Sequence, residues 1–178
     1  MYEVKDATPW RNEGRDFLRL FKTGDTVDLQ LSATANRTTT PVAGDVRLMI
    51  GQLNDKPTAV IMKPVAPGSP AGDAHTYVSP VQPRKFDQVA ILSDAQVQVK
   101  RGDGQYVVEV AIPWSSVGIQ PKAGLALRGD VGFTGSNTEG TITVSRTYWS
   151  NRDTNLVNDE PSEAWLKPSG WGSLRLGQ

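Results

Sequence analysis

Cysteine is absent from the 178 residues. Disulfides, zinc–thiolate sites, iron–sulfur clusters and cysteine nucleophiles are therefore excluded. Histidine occurs once, at His75, so no site can be built from several imidazoles. No apolar run exceeds a few residues, far short of the roughly 20 that a transmembrane helix needs. Charge of one sign is also missing: 19 Lys+Arg balance 19 Asp+Glu. A nucleic-acid binder needs a basic stripe to displace counterions, and an anionic membrane surface asks for similar clusters. Neither partner is expected. The opening Met1–Asp6 lacks the apolar core of a secretory leader.

What is present suits a folded domain. Hydrophobic residues make up 38% and charged residues 21%, too apolar a balance for disorder. The length fits a single domain, residues 1–178. Gly 17 and Pro 12 together exceed average usage and favour many turns. Period-two alternation marks strands. Val27, Leu29 and Leu31 alternate with Asp28 and Gln30. Val46, Leu48 and Ile50 alternate with Arg47. Tyr106, Val108, Val110 and Ile112 share one face. Further strand candidates are 2–5, 17–21, 58–62, 86–92, 97–100, 125–133, 142–148 and 172–176. Turn signals at Thr23-Gly24-Asp25, Val42-Ala43-Gly44, Asn54-Asp55-Lys56-Pro57, Gly102-Asp103-Gly104 and Glu139-Gly140 separate them. The only helical expectation is one turn after Pro113, with Trp114 and Val117 folding onto the core. Residues 64–74 and 150–170 read as loops. The pattern predicts an all-β, two-sheet antiparallel sandwich of immunoglobulin or jelly-roll type with almost no helix.

The stretch Gly104-Gln105-Tyr106-Val107-Val108-Glu109-Val110-Ala111-Ile112-Pro113-Trp114 resembles the central signature of family-nine carbohydrate-binding modules and their DOMON-like relatives. The closing Trp165-Leu166-Lys167-Pro168-Ser169-Gly170-Trp171-Gly172-Ser173-Leu174-Arg175-Leu176 is similar to the family's last motif. The resemblance implies a non-catalytic β-sandwich that binds a polysaccharide or oligosaccharide end, glucan-like or otherwise. It implies no required cofactor, with structural calcium an option, and an extracellular or periplasmic setting within a larger protein. Met1–Asp6 looks like the middle of the family pattern, so the chain is expected to lack its first strands. The strand over 2–5 would then be an exposed edge through which copies could dimerise.

Carried over by position, Trp165 falls on a stacking tryptophan, Asp28 on a strand carboxylate and Arg47 on a strand arginine. Phe21 or Trp10 is the candidate for the opposing wall. Ser162 stands where the family has a binding asparagine, and the family's binding glutamine is replaced near Gly132. Aromatic faces stack on the C–H face of a pyranose. A carboxylate accepts hydroxyl hydrogen bonds, and a guanidinium donates several in a fixed fork. The polar loop near Asn155, Asn158 and Asp159 suits that use of Trp165. The alternatives are that Trp165 pins the loop and that Asp28–Arg47 is a cross-strand ion pair. Trp114, Trp149 and Trp171 read as core. Asp153, Asp159 and Glu160 supply hard oxygens for calcium. Three other functions stay open: a structural or protein-interaction module, a b-haem domain using His75 with Met49 or Met62, and a glycoside hydrolase using Glu109, Asp130 or Glu139.

Overall fold

The structure, a computed structural model, describes residues 1–34, 37–153 and 156–177. Strand accounts for 43% of the chain and helix for 10%. The strands are β1 (Tyr2–Lys5), β2 (Thr26–Ser32), β3 (Asp45–Leu53), β4 (Lys56–Lys63), β5 (His75–Tyr77), β6 (Arg84–Phe86), β7 (Gln88–Ile91), β8 (Gln96–Gly102), β9 (Gln105–Ala111), β10 (Ala126–Ser136), β11 (Thr143–Tyr148) and β12 (Gly172–Arg175). One short helix, α1 (Glu160–Ala164), and 3₁₀ segments at Phe17–Lys22, Ala71–Asp73 and Pro168–Gly170 complete the elements.

The large sheet runs β11-β10-β2-β3-β4-β7, with β12 beside β10; a second sheet runs β1-β9-β8, and β5 pairs with β6. All these pairings are antiparallel, as the short hairpin turns require. The turn between β3 and β4 holds Asn54 and Asp55 at φ 48° and 65°, the positive pair that matches strand twist in a two-residue hairpin. Gly104 takes φ 65° at the β8–β9 turn, a conformation that is cheap only without a Cβ.

Both faces of the large sheet are covered. On one, Val27, Ile50 and Ala59 pack under Tyr106, Val108 and Val4 of the small sheet. Farther along that face Leu31, Val46, Leu48 and Ile61 meet Val117, Ile119 and Leu127. On the other, Met49, Val60, Met62 and Val89 pack under Leu20, Phe21, Tyr77, Phe86, Ala164, Leu166 and Trp171. That second layer is assembled from the 3₁₀ segment Phe17–Lys22, the β5–β6 hairpin and the region around α1. The architecture is an antiparallel sandwich whose second outer layer is irregular.

The coverage corrects several expectations. Residues 17–21 are 3₁₀ rather than strand: Asp16 caps Leu18 N–H, and Leu20 and Phe21 turn inward together. The expected strand over 86–92 is broken at Asp87, whose N–H bonds Lys63 and Pro64 carbonyls, so β6 and β7 join different sheets. The loop over 64–74 is followed directly by β5, too short to show alternation. The loop over 150–170 holds α1, started by the Asp159 cap and Pro161. The turn after Pro113 forms and buries Val117, but Trp114 is 39% exposed. Trp149 is 53% exposed rather than core. Trp171 is buried as expected.

Candidate functional site

Asp28 and Arg47 do meet. They stand diagonally across β2 and β3, since Gln30 is opposite Arg47 and Asp28 opposite Met49. Arg47 Nε donates to Asp28 Oδ2 at 2.7 Å, and the Tyr148 hydroxyl donates to the same oxygen at 2.6 Å. Arg47 Nη1 donates to the carbonyls of Glu163 at 2.9 Å and Ala164 at 3.2 Å. The ring of Phe21 lies 5.5 Å from the guanidinium carbon. Burial works against the Arg47 charge, but the Asp28 carboxylate together with the Tyr148 and Tyr77 hydroxyls offsets it, and the guanidinium pKa is raised above its ordinary value.

This geometry corrects the site read from the sequence. Asp28 and Arg47 are both 0% exposed, so neither offers an oxygen or N–H to a ligand at the surface. Alternation placed them on the face away from Val27 and Val46, but that face is roofed rather than wet. Their part is positional: Arg47 holds the last carbonyls of α1, and Trp165 is the residue that caps it. Phe21 is core on the same face. Trp10 is core on the opposite face, its ring 4.8 Å from Tyr106. Neither forms a wall across from Trp165. Trp165 itself is half-buried; Phe86 meets it edge-on at 5.6 Å and the Arg84 guanidinium carbon lies 4.7 Å over its ring.

Trp165 forms part of a cleft of about 360 Å³. Its floor is Gln30 on β2 and Arg146 on β11. Asp159 and Ser162 enter from the start of α1, Lys167 follows Trp165, and Asn151 and Asp153 come from the segment after β11. Gln30 is fixed by Trp171, whose indole N–H donates to Gln30 Oε1 at 2.9 Å. With that oxygen engaged, the amide NH₂ is what Gln30 offers. Asn151 is set by Asp130, which accepts the N–H groups of Val131, Ser150 and Asn151. Burial raises the Asp130 carboxyl above the ordinary carboxylate value, against those three hydrogen bonds. Val81 and Val157 complete the lining, so the cleft joins an indole and two aliphatic side chains to several polar groups, the composition that orients a small ligand.

The sequence reading found Trp165 as a binding residue but not Gln30, Arg146 or Lys167, and it took Ser162 as the loss of a binding asparagine. Gln30 carried a usable signal, a polar residue in phase with Asp28. Arg146 and Lys167 carried none, because their placement depends on the fold of the 149–171 segment. Asn155 lies outside the described residues.

The other expected constellations do not assemble. Asp159 caps α1, accepting from Ser162 N–H at 3.1 Å, while Glu160 pairs with Arg19. Asp153 is exposed in the segment after Asn151 and shares the cleft lining with Asp159. Among the described residues no group of three or more His, Asp or Glu is placed to hold a metal ion. Glu109 faces Lys100 on the small sheet at 3.5 Å. Asp130 is buried in the large sheet, and Glu139 accepts from Asn137 in the β10–β11 turn. These carboxylates lie on separate elements and frame no common cleft. Met49 and Met62 are fully buried core beneath Tyr77, while His75 stands against the Tyr77 ring at 4.5 Å. No protein-family model matches the chain, and no curated protein sequence matches it.

Proposed function

We propose that this chain is a non-catalytic carbohydrate-binding module, working in a secreted or periplasmic setting, and that the Trp165 cleft is its site. The observation that carries the reading is one indole in the wall of a cleft that it shares with Val81, Val157 and several polar groups, of which Gln30 is held by Trp171. A pyranose has an apolar C–H face and hydroxyls around its rim, and the cleft offers a partner for each. Gln30 and Ser162 suit hydroxyls, and Asp153 is an acceptor near the solvent. The test is a glycan array followed by calorimetry of the wild type and Trp165→Ala on the best glycan. Loss of the stacking ring is expected to weaken binding by about 1–3 kcal/mol. Equal affinity in a folded Trp165→Ala would overturn this site.

A second reading, a protein-interaction module, has its own observation. β1 has only β9 beside it among the described strands. Its open side faces Val131, Phe133 and the half-exposed Trp149. Association through that edge is the form this reading takes. Silence across the array would favour it.

A further inference from the structure

The cleft contains a cation without a counterion. Arg146 Nη2 donates to the Glu163 carbonyl at 2.9 Å and to the Tyr148 hydroxyl at 3.2 Å, both neutral oxygens. Nε is buried without a partner, and Nη1 has no acceptor among the described residues. The guanidinium carbon sits 5.2 Å over the Tyr148 ring centre. The deeper cations on this side are neutralised, Arg47 by Asp28 and Lys22 by Glu163. Arg146 lines the cleft and is not.

From this we infer that the ligand of the cleft is an acidic sugar whose carboxylate takes Arg146. The inference rests on the cleft being the sugar site. A planar guanidinium with Nη1 unbonded among the described residues matches a carboxylate better than it matches a hydroxyl, and the hydrogen bond gains from both charges. Lys167 lies on the same cleft and Arg84 flanks it across the Trp165 ring. The two carboxylates of the cleft limit how much negative charge can enter. Asp159 is spent on the α1 cap, where its bonds to Ser162 hold its pKa below the ordinary value. Asp153 is exposed. Their presence fits one carboxylate per sugar, a uronic acid, and disfavours a densely sulfated chain.

The experiment is titration calorimetry with trimers of galacturonic, glucuronic, mannuronic and guluronic acid, each set against its carboxyl-reduced, neutral counterpart. At least one uronate trimer is expected to bind roughly 10- to 100-fold tighter than its reduced form, the scale of one charge-assisted hydrogen-bonded pair. That preference should shrink as salt is raised and vanish in Arg146→Gln, while Arg146→Lys keeps part of it. The comparison of charged with reduced trimers needs no variant, so a misfolded Arg146→Gln leaves the test intact. Equal or tighter binding of the neutral trimers would overturn the acidic-sugar inference and leave the carbohydrate reading standing. No binding by any trimer, together with silence on the array, would overturn both.

Discussion

Arg47 shows how burial changes the meaning of a residue. In water it would be a ligand for hydroxyls; at 0% exposure it is the junction of β2, β3, β11 and α1. Removing one partner of a buried pair strands the other's charge, so Arg47→Met and Asp28→Asn should each cost about 3–5 kcal/mol of stability. The double variant should cost less than the sum, because neither charge is then left alone. Urea unfolding followed by circular dichroism measures both. Additive losses would mean that the two side chains do not interact. Asp130 gives a pH prediction. Its folded-state pKa is raised by burial, as is that of Asp25. A raised carboxyl binds its proton more tightly in the folded protein, so its contribution to stability is present at low pH and lost as pH rises through the raised value. Compared with Asp130→Asn, the wild type should gain melting temperature as pH falls from 7 toward the ordinary carboxylate range. A difference independent of pH would show that burial does not shift this group.

At the scale of the element, β10 and β11 approach as closely as they do because position 132 has no side chain. A Cβ on Gly132 would lie 2.5 Å from the Thr147 carbonyl oxygen and 2.6 Å from the Tyr148 ring. Tyr148 is the residue whose hydroxyl completes the Asp28–Arg47 junction. Gly132→Ala should therefore push Tyr148 off Asp28 and cost about 1–3 kcal/mol, the range for overpacking a filled interior. Thermal unfolding reads the loss, and Tyr148→Phe is the control, since it removes the hydroxyl without crowding. If Gly132→Ala unfolds at the wild-type temperature, the strand separation is softer than these distances imply. The sequence reading recognised this region as strand. It could not see that a glycine there makes room for a tyrosine arriving from the next strand.

For the whole molecule, the unequal sheets matter. A six-strand path with β12 at its side is faced by only three strands, leaving Trp149 and the open side of β1 uncovered. Unpaired strand edges beside apolar surface promote association. We propose that copies associate here, giving a concentration-dependent rise in mass by light scattering that Trp149→Ser reduces without altering ligand affinity. A constant monomer mass at high concentration would overturn this. Trp165→Ala should do the reverse, weakening ligand and leaving the mass unchanged. The two tryptophans thus separate the two surfaces.

Sequence alone determined the class of fold and the positions of the main strands along the chain. Alternation in 26–31, 45–50 and 106–112, with turn residues between, is dictated locally by the pleat and by backbone sterics. It also put Asp28 and Arg47 on the polar faces of their strands, while the family resemblance was what singled out Trp165. Alternation states that a strand has two faces, but not which one water reaches. That was decided by distant segments, the 3₁₀ turn at Phe17–Lys22, the β5–β6 hairpin and the chain around α1, which fold over the polar face of β2 and β3. Their contacts span more than a hundred residues, as between Arg47 and Glu163. Such pairings arise from packing complementarity across the chain rather than from local propensity. They turned an apparent binding pair into a buried junction and moved the candidate site outward to the cleft beside Trp165.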